Sequence, residues 1–306
     1  MILAPHIAAH VFNVPLMVEP GKLQAALIGL GARLVEGGIQ LPGVVAVDHI
    51  AFAGGRPSDS MGRIGNPLGR SYEKAGVGDY LLDRVDGIGV IPIEGTLVHK
   101  GKFVGQSSGE TSYEGLQAQI TRATADPSIK GVVFEVDSFG GEVAGAFETA
   151  KMIAALSDEK PTLAILTDFA MSAGYLMASA ARQIVMPETG GAGSIGVVTI
   201  HTDMSRALEN DGVKVTLLSS GAHKVDGHPF GPLADDVRAS IQARLDRSRE
   251  LFAGAVGAFR GKRLTKDAAL ATEAQTYFGS DAVAAGLVDG IIDPSRAFAE
   301  FHRKVN

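Results

Sequence analysis

The chain has 306 residues, 45% hydrophobic and 20% charged, with a formal net charge of −6. That length suits one large domain, or one domain with an appendage. Both signs of charge are interspersed without a basic block, which argues against nucleic acid as a partner, and the absence of cysteine excludes disulfides, thiolate catalysis and Cys-ligated zinc.

Along the chain, the first stretch, MILAPHIAAHVFNVPLMVEP, is apolar in patches. It is broken by His6, His10, Asn13 and Pro15 and has no basic start. It reads as neither signal peptide nor membrane anchor, but as an arm resting on the body or on a partner. A helical pattern around Leu23–Val35 follows Pro20 and Gly21, so residues 1–52 form an N-terminal helical arm. Residues 53–76 are rich in Gly, Pro, Ser and Arg without an apolar period, as in a flexible linker. The main domain is expected over 77–306.

There the elements alternate. Strands are predicted at Ile88–Ile93, Gly131–Val136, Thr162–Leu166, Val197–His201 and Val213–Leu218. Helices are predicted at Tyr113–Thr124, Glu142–Leu156, Ser172–Ala181 and Met204–Asn210. A longer helix carries Leu233, Val237, Ile241 and Leu245 at a four-residue spacing. The segment TYFGSDAVAAGLVDGIID reads strand, helix, strand. This alternation predicts an α/β fold with a mostly parallel sheet.

Four segments could carry chemistry. DSFGGEV (137–143) follows a strand, and Gly140 and Gly141 ahead of a helix could aim two backbone N–H groups at an oxyanion. A diglycine is also a common structural device, and neither GxxxxGK(S/T) nor GxGxxG occurs here. TDFAMSAGYLMASAA (167–181) puts Ser172 between a strand and a small-residue helix, where it could be a nucleophile, an N-cap, or both. Ser194 lies in the glycine-dense ETGGAGSIGVV (188–198), where turn chemistry alone could explain it. Lys224, in SSGAHKVDG (219–227), is a surface charge or a base. An amine serves as base only when neutral, which burial and neighbouring donors favour.

Taken together and in this order, these segments resemble the S49 family of serine peptidases, the signal peptide peptidase A group. DSFGGEV resembles that family's S-x-G-G segment, MSAGYLMASAA its nucleophile helix, GSIGV its downstream turn and SSGAHKVDG its lysine loop. TYFGSDAVAAGLVDGI resembles its closing signature. The resemblance covers roughly residues 86–292 and implies a ClpP/crotonase-like fold with repeated β-β-α units. It implies a Ser-Lys dyad with Ser172 as nucleophile and Lys224 as general base. Ser194 would orient the lysine, and Gly140, Gly141 and Ala173 would position the oxyanion and substrate. The chain departs from the family at Phe139, where proline is common, and at Ala173, where glycine is frequent. No metal or other cofactor is implied.

The opening segment HVFNVPLMVEPGKLQAAL resembles that of phage and prophage head-maturation proteases of the same type. From this follow expected substrates (scaffold, portal or capsid proteins), a ring-like homo-oligomer, no membrane or nucleic-acid partner, and a location in the host cytoplasm inside the procapsid. Alternatives are a cellular protease of the signal-peptide-peptidase kind, a crotonase-type acyl-CoA enzyme, and a non-catalytic assembly protein on the same fold.

Overall fold

The structure, a computed structural model, describes residues 14–18, 82–100 and 110–306. The predicted helix around Leu23–Val35 and the 53–76 linker lie outside these residues. Strand β1 (Leu16–Val18) is followed, far along the chain, by β2 (Asp83–Val85) and β3 (Ile88–Val98). These two form a hairpin through Asp86 and Gly87, both at positive φ, as a two-residue turn of twisted strands requires. β4 (Glu110–Ser112) runs directly into helix α1 (Tyr113–Ala125), whose N-cap Ser112 accepts a hydrogen bond from the Gly115 N–H at 3.1 Å.

Next come β5 (Gly131–Glu142), α2 (Ala146–Glu159), β6 (Thr162–Met171), α3 (Ala173–Ser179), β7 (Gln183–Met186) and β8 (Gly191–Gly193). The C-terminal part adds α4 (Ser205–Asn210), the 26-residue α5 (Asp235–Arg260), α6 (Lys266–Ala271), β9 (Thr276–Phe278), α7 (Gly279–Ala284), β10 (Gly290–Ile291) and α8 (Pro294–Val305). The fold is mixed α/β with a mostly parallel sheet, as the alternation predicts. Its main path is β10-β7-β6-β5-β3-β2.

The central strands are buried on both faces, and residue parity decides which cluster each side chain joins. Phe134, Val136, Ala164 and Leu166 join the larger core with Leu116, Ile120, Ile153 and Leu176 from the helices. Val133, Leu163 and Ile165 face the other way, onto Phe298 and Phe301 of α8. That helix is started by Asp293, whose carboxylate accepts from the Ser295 and Arg296 N–H groups, with Pro294 in the first turn.

Two register shifts shape the site. The β3–β5 ladder slips between Glu94 and Thr96, and the β5–β6 ladder between Val136 and Ser138. Such bulges bend and twist strands. Beyond them the partners change: β6 pairs with β7 through Leu163–Ile165 but with β8 through Phe169–Met171. The strand ends that carry DSFGGEV and Ser172 are therefore re-aimed together.

Two predicted strands are absent. Val197–His201 makes one isolated bridge, Val198 with Leu16, and Val213–Leu218 has no regular structure. Apolar alternation makes a strand only where a neighbouring edge supplies ladder bonds. Here Val213 and Leu218 are instead 49% and 93% exposed.

Candidate active site

Ser172 sits where β6 ends and α3 begins. Its backbone has φ 54° and ψ −120°, a conformation costly for a residue with a side chain. The surroundings hold it there. Its N–H donates to the Gly193 carbonyl at 2.8 Å, and its own carbonyl accepts from the Leu176 N–H at 3.0 Å. Its hydroxyl caps nothing, and its contact is a long one, 3.5 Å, to the Gly196 carbonyl. Ser172 occupies the N-cap position without doing the N-cap's work.

The small residues around it are sterically required. A Cβ on Gly174 would stand 2.8 Å from the Ser138 carbonyl oxygen. Gly140, at φ 100°, would with a Cβ collide with the Met17 carbonyl and stand 2.9 Å from Ser172 Cβ. A Cβ on Gly141 would collide with the Leu97 backbone. The diglycine is thus not a turn ahead of a helix. It lies inside β5, paired with Thr96 and Leu97 of β3 on one side and with Val18 and Met17 of β1 on the other. The Gly140 N–H donates to Ser138 Oγ at 3.1 Å, while that hydroxyl donates to the Gly95 carbonyl at 2.6 Å. Ser138, fully buried, is a residue that sequence reasoning missed as a partner of the diglycine.

Ser194 also adopts positive φ, 56°, and is buried. Its N–H donates to the Gln275 carbonyl at 2.9 Å and its carbonyl accepts from the Gly196 N–H at 2.8 Å, which sets the tight turn after β8. Ala173 is the first residue of α3 and fully buried. Ser172, Ala173, Ser194, Gly140 and Gly141 therefore belong to one packed neighbourhood.

Lys224 does not join them. It lies exposed in a turn, its N–H donating to the Gly221 carbonyl at 3.2 Å. Among the described residues its ammonium makes no hydrogen bond or ion pair. Beside it, His223 Nδ1 and Asp226 Oδ2 are 2.9 Å apart. A cleft of about 490 Å³ opens between this turn and α5, walled by Pro15, Thr199, His223, Asp226, Ile241 and Arg244. In this single chain the Lys224 side chain is exposed, as the surface-charge reading has it.

The site's support runs into the C-terminal half. Tyr175 of α3 donates its hydroxyl to the Leu287 carbonyl at 2.9 Å. Burial drives its pKa above the ordinary tyrosine value, so it stays a donor. Next to it, the buried Arg260 at the end of α5 holds Asp289 through two bonds of 2.9 Å and the Gly286 carbonyl at 3.0 Å. An aromatic strip, Phe139 on Phe169 at 4.9 Å and Phe169 edge-on to Phe278 at 6.5 Å, runs along the strands that carry the site. No spacing in the sequence announces it. Among the described residues no cluster of His, Asp and Glu could hold a metal, and no helix is long and apolar enough to cross a membrane.

The profile of Peptidase family S49 matches residues 154–306, half of the chain, from within α2 to the C-terminus. The chain belongs to peptidase family S49. Among curated proteins it is 38% identical to capsid assembly protease C of Escherichia phage lambda, over 96% of this chain and 64% of that protein. It is 35% identical to the head-tail preconnector protein GP5 of Enterobacteria phage P21, over 98% of this chain and 58% of that protein. The chain thus spans less than two thirds of either relative. A solved structure of an enoyl-CoA hydratase/isomerase family member overlaps 77% of this chain and 76% of its own, at 16% identity and a TM-score of 0.43.

Proposed function

We propose that this S49 peptidase is a serine endopeptidase in which Ser172 is the nucleophile and Lys224 the general base, acting on scaffold, portal or capsid proteins in phage head maturation. The observation that carries the reading is the Ser172 backbone. A serine held at φ 54° between a strand and a helix, with a hydroxyl that caps nothing, is arranged like a nucleophile at a strained elbow. The likeness to two phage head proteins over nearly the whole chain supports the substrate class.

In the reaction, Lys224 Nζ takes the proton of Ser172 Oγ as the oxygen attacks a peptide carbonyl. The backbone N–H groups of Gly140, Gly141 and Ala173 are the candidate donors to the oxyanion, a role typically worth ~10²–10³ in kcat per donor. The Gly140 N–H must exchange Ser138 Oγ for the oxyanion to take part. The protonated lysine then gives its proton to the leaving amine, and a water that it activates hydrolyses the acyl-enzyme. Ser194 orients the lysine.

In the single chain Lys224 does not touch Ser172, and the segment bearing it exposes Val213, Val215, Leu217 and Leu218. Self-association that buries this segment would remove the amine from water and favour its neutral form. The dyad is therefore completed in a homo-oligomer.

The test is incubation of wild type and Ser172→Ala with candidate capsid and scaffold proteins, read by mass spectrometry. Cleavage that survives Ser172→Ala sinks the proposal. Mixing Ser172→Ala with Lys224→Ala chains asks which copy supplies the base: activity returns if the dyad forms between copies and stays lost if it forms within one.

A further inference from the structure

Ser172 has no exposed surface in this structure. A nucleophile so covered meets no substrate until a cover moves. The cover on the diglycine side is β1. Its three residues run antiparallel to β5, with Leu16 opposite Glu142, Met17 opposite Gly141 and Val18 opposite Gly140. On its other edge, Leu16 exchanges two backbone hydrogen bonds with Val198, its N–H donating at 2.8 Å and its carbonyl accepting at 2.9 Å. Thr199 Oγ1 donates to the Val14 carbonyl at 3.0 Å. The segment is thus an extended peptide gripped by its backbone from both sides.

Its position is specific to the site. The edge on one side is the diglycine strand. The edge on the other continues from Gly196, whose carbonyl contacts Ser172 Oγ. The Met17 carbonyl and Ser172 Cβ converge on the one point where Gly140 lacks a Cβ. Sixty-odd residues separate β1 from the next described strand, so β1 reaches this slot from far along the chain. A slot between the edge of β5 and the backbone at Val198, beside the nucleophile and with glycines allowing close approach, takes an extended peptide by strand addition.

We infer that residues 14–18 occupy the substrate cleft of this chain in cis, and that a substrate peptide must displace them to reach Ser172. The inference rests on the reading of Ser172 as nucleophile. The occupant belongs to the same chain, so it competes with substrate as an intramolecular ligand. A cleft open in about 1–10% of molecules would raise the apparent KM about 10–100-fold over its intrinsic value. Main-chain contacts dominate the grip, so the ligand class is an extended peptide with an apolar residue at the position of the buried Met17.

The experiment uses the full chain and Leu16→Pro, which removes the N–H donated to Val198 and weakens the grip while leaving every residue of β5 and Ser172 unsubstituted. Expected is a KM for a peptide substrate at least about tenfold lower than in the wild type, and its return towards the wild-type value when synthetic NVPLMVEP, residues 13–20, is added. An unchanged or higher KM overturns the inference. So does a Leu16→Pro protein that loses its fold, because β1 is then a structural strand. The second measurement needs no catalysis: fluorescein-labelled NVPLMVEP is titrated into Ser172→Ala, with and without Leu16→Pro, and followed by anisotropy. Saturable binding that is tighter with Leu16→Pro supports occupation of the cleft, and no binding to either protein overturns it. Failure of the nucleophile assignment shows separately, as cleavage that persists in Ser172→Ala.

Discussion

The two halves of the proposed dyad live in opposite kinds of structure. Ser172 is fully buried in a frame of strand ends, with its backbone amide, its carbonyl and the glycines around it all fixed by neighbours. Lys224 lies in an exposed turn, in a segment whose apolar residues face water. A nucleophile needs a strained, over-determined backbone, and that requires a packed core. A base that is to be switched on by assembly needs the reverse: little holding it in the isolated chain, and apolar neighbours that reward burial. The contrast therefore predicts that mutations will differ in whether they act first on chemistry, on stability or on assembly.

The largest effect expected is on chemistry. Ser172→Ala should lower kcat by at least about 10⁴-fold, read as cleavage of a peptide substrate. Lys224→Ala should cost almost as much, since members of one catalytic unit fail together. Yet it should move stability by no more than about 0.5 kcal/mol, because the side chain is exposed and without partners among the described residues. A Tm that falls with Lys224→Ala would mean that the turn is held by its lysine, and would break the comparison from the exposed side.

The next effect is on the frame. Arg260→Met removes one partner of a pair in which the arginine is buried and Asp289 is only 18% exposed. Asp289 keeps Arg263 at 3.2 Å and the Ile184 N–H at 2.7 Å, so losing the two Arg260 bonds should cost about 1.5–3 kcal/mol by chemical denaturation. The link from Arg260 through Asp289 and Leu287 to Tyr175 ties the end of α5 to α3, the helix that follows Ser172, so kcat should fall as well. A variant with full stability and lost activity would instead make Arg260 part of the chemistry.

Acid probes the same link more gently. Burial alone would raise the Asp289 pKa. The hydrogen bonds and charge of Arg260, the Ile184 N–H at 2.7 Å and the charge of Arg263 outweigh it and hold the carboxylate below its ordinary value. A lowered folded-state pKa stabilises the fold above the unfolded value of ~3.9, and that stabilisation is lost as pH falls through it towards the lower folded value. Denaturation midpoints measured from pH 6 down to pH 3 should decline in the wild type. The decline should be shallower in Asp289→Asn, and equal slopes would remove Asp289 from the account.

Legibility in the sequence follows the same division. Tyr113–Ala125, the central strands and the final strand-helix-strand were readable because their apolar periods are met by a sheet and helices of the same chain. Ser172 was readable as a strand–helix junction, though its unused capping position was not, since that depends on φ. The diglycine was visible as a motif but misread as a turn. Its glycines answer to β3 and β1 passing on either side, and β1 comes from far along the chain. Val213–Leu218 showed the alternation of a strand, but a strand needs an edge to pair with, and the described residues offer it none. The Phe139–Phe169–Phe278 strip carried no spacing signal because tertiary packing alone brings it together, whereas Ser138 stands in the S-x-G-G segment, two residues from the Gly140 N–H that it accepts from.

The smallest effect on the single chain is expected at Leu218, and it isolates assembly from everything else. Its side chain is 93% exposed, so Leu218→Ser removes no packing within the chain and should shift unfolding by no more than about 0.5 kcal/mol. If the exposed apolar residues of this segment are the contact surface of a homo-oligomer, the same substitution should move the sedimentation profile towards smaller species. Activity should fall with it, because Lys224 lies six residues away on the same segment. A variant that sediments as the wild type and cleaves at the wild-type rate would leave Leu218 outside the interface. The base would then have to reach Ser172 by a rearrangement within one chain, which the mixed-variant experiment reads directly as activity that stays lost.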